Sequence, residues 1–234
     1  MRALFVTASG TGVGKTFVMR TLIGALRTAG QRVEALKPVI SGWDPALVAE
    51  SDAGLLLASL GRSVTPENVD SISPWRFTAP LSPDMAAARE GRSVDWDLLL
   101  ATCRARLQPG TATLIEGIGG VMVPLDDRHT VLDWIAALEI PALLVTGSYL
   151  GSLSHTLTAA AVLRERSIAT HVVVSESQPG PGQVQPVPLD ETVSSLSRQL
   201  PTLTVAALRR TPDCSEIGPD AQLLARELIT LLWG

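Results

Sequence analysis

Cysteine is nearly absent: Cys103 and Cys214 are the two thiols in 234 residues. They stand far apart and in no metal-ligand spacing, which excludes a disulfide scaffold and leaves a reducing, cytoplasmic setting as the expectation. Charge is scarce as well, at 18% of residues with a net charge of −4. Arg209-Arg210 is no more than a pair, so the sequence lacks the clustered Lys and Arg that neutralise a phosphodiester backbone, and nucleic acid is not an expected partner. No segment approaches the ~20 apolar residues of a membrane span. The run Ala3-Leu4-Phe5-Val6 is too short for a signal-peptide core. What remains, at 46% hydrophobic residues, reads as a globular chain able to bury a substantial core.

The most informative stretch is Ala8-Ser9-Gly10-Thr11-Gly12-Val13-Gly14-Lys15-Thr16. It follows a short apolar run and opens into a helix-compatible segment, which is the strand–loop–helix context of a phosphate-binding loop. Its glycines let successive N–H groups converge on phosphate oxygens at the positive end of the following helix. Lys15 is placed to reach β- and γ-phosphates, and the Thr16 hydroxyl to ligate Mg²⁺. The leading glycine of the general pattern is missing, with Ser9 in its place.

Strand-like runs at 4–7, 32–39, 113–115, 142–145, 171–174 and 203–206 alternate with helix candidates at 15–29, 52–60, 95–107, 131–138, 152–166, 189–199 and 219–232. That alternation predicts an α/β fold, a P-loop NTPase-like parallel sheet with helices on both faces, in one domain over residues 1–234. Functional residues are expected just after strands, at the carboxyl edge. Lys37 sits at such a place inside an apolar run, where an unpaired ammonium is costly and a nearby anion would explain it. Glu116, closing the run at 113–115 before Gly117, Gly119 and Gly120, is the expected second carboxylate around Mg²⁺. Asp52 is ambiguous: Ser51 or Asp52 as a helix cap accounts for it without any metal. The small residues at 151–154 open a helix whose N–H groups could hold a carboxylate, with a plain serine cap as the competing view. The proline-rich stretch 70–91 reads as a structured loop ending in a short helix, and 175–188 as a flexible rim.

Taken together, these motifs resemble dethiobiotin synthetases: the loop to Lys15-Thr16, then Lys37-Pro38-Val39 with Ser41-Gly42, Ser51-Asp52, Phe77 with Pro80 and Ser82-Pro83, Glu116-Gly117 with Gly119-Gly120, Pro124-Leu125, and Leu150-Gly151 with His155. The resemblance implies a homodimeric, ATP- and Mg²⁺-dependent ligase acting on 7,8-diaminopelargonic acid and CO₂. It implies catalytic roles for Lys37, Lys15 and Thr11, and metal ligation by Thr16, Asp52 and Glu116. Nucleotide contacts are implied for Gly12, Val13, Gly14, Lys15, Thr16, Phe17, Asp52, Glu116, Gly117, Ile118, Gly119, Ser175 and Glu176. Substrate would meet Ser41 and, from the neighbouring subunit, Gly151, Ser152, Leu153 and Ser154. Ser175 stands where that family carries a base-reading Asn. The alternatives are a nucleotide-switch ATPase of the partitioning or cell-division type, in which Gly10 would be lysine, and a catalytically silent nucleotide-binding relative.

Overall fold

A strand covered by helices on both faces must be apolar throughout, and the N-terminal run meets that demand: residues 3–8 are buried at every position. The computed structural model describes residues 2–177, 187–210 and 218–233. Cys214, residues 178–186 of the expected rim and the Trp233 side chain lie outside them. The elements in chain order are β1 (Ala3–Ala8), α1 (Lys15–Thr28), β2 (Arg32–Leu36), β3 (Val39–Ser41), a 3-10 segment (Pro45–Glu50), α2 (Asp52–Ser59), α3 (Pro66–Ile72), β4 (Trp75–Phe77), α4 (Pro83–Arg89) and α5 (Trp96–Arg104). They continue with β5 (Thr111–Glu116), α6 (Val131–Leu138), β6 (Ala142–Gly147), α7 (Ser152–Glu165), β7 (Thr170–Ser175), α8 (Leu189–Gln199), β8 (Val205–Leu208) and α9 (Pro219–Trp233).

Six strands form a parallel sheet in the order β2-β5-β1-β6-β7-β8. The expected parallel α/β architecture is therefore present. β1 lies in the middle, with Val6 level with Glu116 of β5, so the chain leaves β1 into residues 9–14 beside the end of β5. Helix α1 buries Val18, Met19, Leu22, Ile23 and Leu26, a three-and-four spacing that gives one apolar stripe. Trp134 of α6 is fully buried and meets Phe5 edge-on, ring centroids 4.8 Å apart at 84°. Such a pair adds about 0.5–1.5 kcal/mol to what the buried area contributes.

The expected strand at 32–39 is broken. β2 stops at Leu36, and β3 leaves to form a separate two-stranded parallel sheet with β4. Pro38 has no N–H to donate to a ladder. Around it, Lys37 N–H donates to the Ile72 carbonyl at 3.0 Å, and Ser73 Oγ donates to the Lys37 carbonyl at 2.7 Å. The break turns Lys37 out of the ladder, and that placement matters for the site. The last strand begins at Val205, not at 203, because Leu203 N–H still closes a turn onto the Leu200 carbonyl. Helix α3, opened by Pro66 and capped by Thr65 Oγ1 accepting from Asn68 N–H, is an element the periodicity did not reveal.

Candidate active site

The loop after β1 is held before it turns: Ser9 N–H donates to the Val145 carbonyl and Ser9 Oγ to Thr146 Oγ1, both at 2.9 Å. Gly12 and Gly14 then take positive φ, 74° and 101°. At Gly14 a side chain is excluded twice over, by that φ and because a Cβ would lie 2.9 Å from Ser175 Oγ. Gly14 starts α1 with no side-chain cap and no acidic residue in the first turn, leaving the helix's free N–H groups and positive end facing an anion site. Lys15 is buried. Its Nζ donates to the Gly119 carbonyl at 2.8 Å and the Gly10 carbonyl at 3.5 Å, and it has no carboxylate within ion-pair distance among the described residues. Burial, then the charge of Lys37, pulls its ammonium down to about 8, against Glu116 and Asp52. An anion beside it would reverse that pull.

Lys37 is 3% exposed. Its Nζ lies 2.9 Å from Glu116 Oε1, 2.6 Å from the Gly117 carbonyl and 3.4 Å from Asp52 Oδ2. Burial alone would lower its pKa; Glu116 and Asp52 together outweigh burial and hold it above the usual lysine value. Burial pushes the Glu116 carboxyl up and Asp52 adds to that, against Lys37. Asp52 is free to join because the cap is supplied by its neighbour: Ser51 Oγ accepts from Gly54 N–H at 3.2 Å. The cap reading of this segment therefore belongs to Ser51, and Asp52 points to the site.

Acceptors outnumber protons at this cluster. Thr16 Oγ1 lies 2.8 Å from Asp52 Oδ1 and 2.9 Å from Glu116 Oε1, yet a hydroxyl has one proton to give. Glu116 Oε2 is buried with no hydrogen-bond partner. Two carboxylates, one of them with an orphaned oxygen, and a hydroxyl form a hard-oxygen donor set of the kind Mg²⁺ takes together with phosphate oxygens. Among the described residues no three His, Cys, Asp or Glu side chains gather, so the described residues offer an ion here two carboxylates at most. Thr11, Gly12, Gly14, Lys15, Thr16, Phe17, Lys37, Ser41, Asp52, Glu116, Ile118 and Gly119 all line one cavity of about 450 Å³.

The AAA domain family matches residues 2–217. The chain is 51% identical over 202 residues to the ATP-dependent dethiobiotin synthetase BioD of Acidiphilium cryptum, covering 86% of this chain and 89% of that protein. It is 47% identical over 205 residues to the protein of the same name from Methylobacterium nodulans, covering 85% and 89%. This chain belongs to the dethiobiotin synthetase family. The MinD cell division protein of Aquifex aeolicus is similar in fold, with a TM-score of 0.53 at 16% identity over 98% of each chain.

The remaining residues singled out from sequence divide. Val13 and Gly117 do not line the cavity: Val13 is buried in the core, and a Cβ at Gly117 would meet Phe5 at 2.8 Å while the Gly117 carbonyl holds Lys37. Ser175 and Glu176 stand at the carboxyl end of β7 but do not line the cavity; Ser175 Oγ is buried without a partner, next to Gly14. Gly151, Ser152 and Leu153 line a different cavity, of about 590 Å³, with Tyr149 and Arg198. Ser154 is exposed and lines neither. Within one chain the structure does not bring 151–154 to the phosphate cavity. Sequence reasoning missed Arg20 and Arg210, which line that cavity. The signal was there: Arg20 shares a helix face with Phe17, and Arg210 follows a strand at the ligand-binding edge.

Proposed function

We propose that the chain closes the ureido ring of dethiobiotin on 7,8-diaminopelargonic acid, using CO₂ and ATP, in biotin synthesis. The observation that carries this is the convergence of Lys15, Lys37 and the Thr16–Asp52–Glu116 oxygens on one cavity. One substrate amine takes up CO₂ as a carbamate, whose oxygen attacks the γ-phosphorus of ATP and expels ADP. The second amine then attacks the carbonyl carbon of the mixed anhydride and expels phosphate. The reacting groups are the substrates' own, so the protein's part is positioning and charge neutralisation. Lys37 faces the carbamate and the transferring phosphoryl group, and Lys15 the β- and γ-phosphates. Thr16, Asp52 and Glu116 would hold Mg²⁺, which would supply charge neutralisation at the phosphates when bound. Thr11 and Ser41 contact the diamine, and the loop backbone from Gly12 to Phe17 with Ile118 and Gly119 cradles the nucleotide. Ser175 and Glu176 border its base.

The fold, one domain in this reading, acts as a cytoplasmic homodimer, in which α7 of the second copy presents Gly151 to Ser154 to the substrate carboxylate. The placement of those residues away from the phosphate cavity of their own chain supports that reading. The test is ADP release followed with and without the diamine and bicarbonate. Together they should stimulate it in a Mg²⁺-dependent way. Folded protein that hydrolyses ATP without such stimulation, or only binds it, would favour a nucleotide switch or a silent relative.

A further inference from the structure

Arg209 and Arg210 leave β8 for different partners. Arg209 is engaged in exposed pairs with Asp190 at 2.7 Å and Asp220 at 3.0 Å, which tie the strand end to α8 and α9. Arg210 lines the phosphate cavity instead. Its backbone N–H donates to Glu176 Oε2 and its Nε to the Glu176 carbonyl, both at 3.0 Å, and its Cζ lies 5.2 Å from the centroid of the Phe17 ring. Nη2 comes within 3.6 Å of where a Gly14 Cβ would stand. The guanidinium is thus fixed over the first turn of α1, with no carboxylate paired to it among the described residues and its Nη donors unspent. Arg20, one turn beyond Phe17, lines the same cavity with a buried Nε that has no partner.

We propose that Arg210 is a nucleotide-contacting residue that binds the α-phosphate, held in place by Glu176 and Phe17. The assignment rests on the nucleotide reading above. Lys15 and Lys37 lie with Glu116 in the cavity, whereas Arg210 stands over Phe17 beside Gly14, where the α-phosphate follows the β-phosphate along the helix start. A planar fork of donors suits a phosphate. It suits adenine poorly, because adenine sets an amino donor beside its ring acceptor.

Nucleotide dissociation constants of the full chain for ATP and CTP, with the KM and kcat for ATP, decide it. Arg210→Met should weaken both nucleotides by a common factor, roughly tenfold or more, raise KM(ATP) and leave kcat at saturating ATP near its original value. Arg210→Lys should recover part of the loss, and Arg209→Gln should leave binding unchanged. Binding within twofold of the unmodified chain would overturn the assignment. So would a loss confined to one base, or an equal loss in Arg209→Gln, which would mean a loosened strand end. If the unmodified chain failed to bind ATP at all, the proposed function would fall, and this assignment with it.

Discussion

Lys15 and Lys37 are the two lysines of the chain; the other seventeen of its 19 Lys and Arg residues are arginines. Both lie in one cavity, but their environments differ: among the described residues Lys15 meets carbonyl oxygens and pairs with no carboxylate, whereas Lys37 meets two carboxylates. An amine-acylating reagent therefore has two side-chain targets, and the difference is readable by mass spectrometry. Near pH 8, Lys15, pulled to about 8, should be acylated well before Lys37, and ATP should protect it. Equal rates, or a rate indifferent to ATP, would contradict the described pairing. At this scale the sequence was legible wherever a residue type has few uses. Lys15, Thr16 and Glu116 were read correctly as neighbours because a Gly-Lys-Thr turn and a carboxylate after an apolar strand leave little choice. Asp52 was left open by its own residues, since a carboxylate at a helix start serves equally as a cap; the family resemblance set it beside Thr16 and Glu116, and the Ser51–Gly54 bond supplies the cap in its stead. Arg210 carried a partial signal, a place just after a strand at the ligand-binding edge, but that place does not fix which way a side chain turns, and Arg209 turns the other way.

The elements carry the site by where they end. β1, β2 and β5 deliver the loop, Lys37 and Glu116 to one edge, and alternation of apolar runs was enough to foresee that. The strand break at Pro38 was missed because Val33, Ala35, Leu36 and Val39 read as one apolar run, while the absent N–H of Pro38 forbids the ladder. β7 offers a test of the sheet itself. His171 Nδ1 is buried without a hydrogen-bond partner, and burial lowers the imidazole below its ordinary 6.5. As pH falls below 6.5 the unfolded chain takes up a proton that the native state resists, so folding stability drops on acidification. Urea midpoints compared between about pH 7.5 and 5.5 should fall less in His171→Gln than in the unmodified chain. Parallel falls would show that the ring titrates freely in the native state.

For the whole molecule, the two cavities share no lining residue, and the proposed active site shared between two copies would reconcile them. Lys37→Ala and Ser154→Asp should each be inactive alone, the second by setting a carboxylate against the substrate's own. Mixed after dissociation and reassociation, they should recover roughly a quarter of the original activity: random pairing makes half the dimers mixed, and each mixed dimer keeps one intact site of two. No recovery from a mixture that demonstrably exchanges subunits would place the whole site within one chain. The parallel sheet could be anticipated from the sequence alone, since burial on both faces constrains each run locally. How two copies meet depends on surfaces that obey no such periodicity.

Lys37 is proposed to act on the group being transferred and not on ATP binding. Lys37→Ala, checked by a cooperative thermal transition, should lose about two to three orders of magnitude in turnover, while its dissociation constant for ATP with Mg²⁺ changes by less than about tenfold. Turnover close to that of the unmodified chain, or a loss explained entirely by failure to bind ATP, would contradict the account.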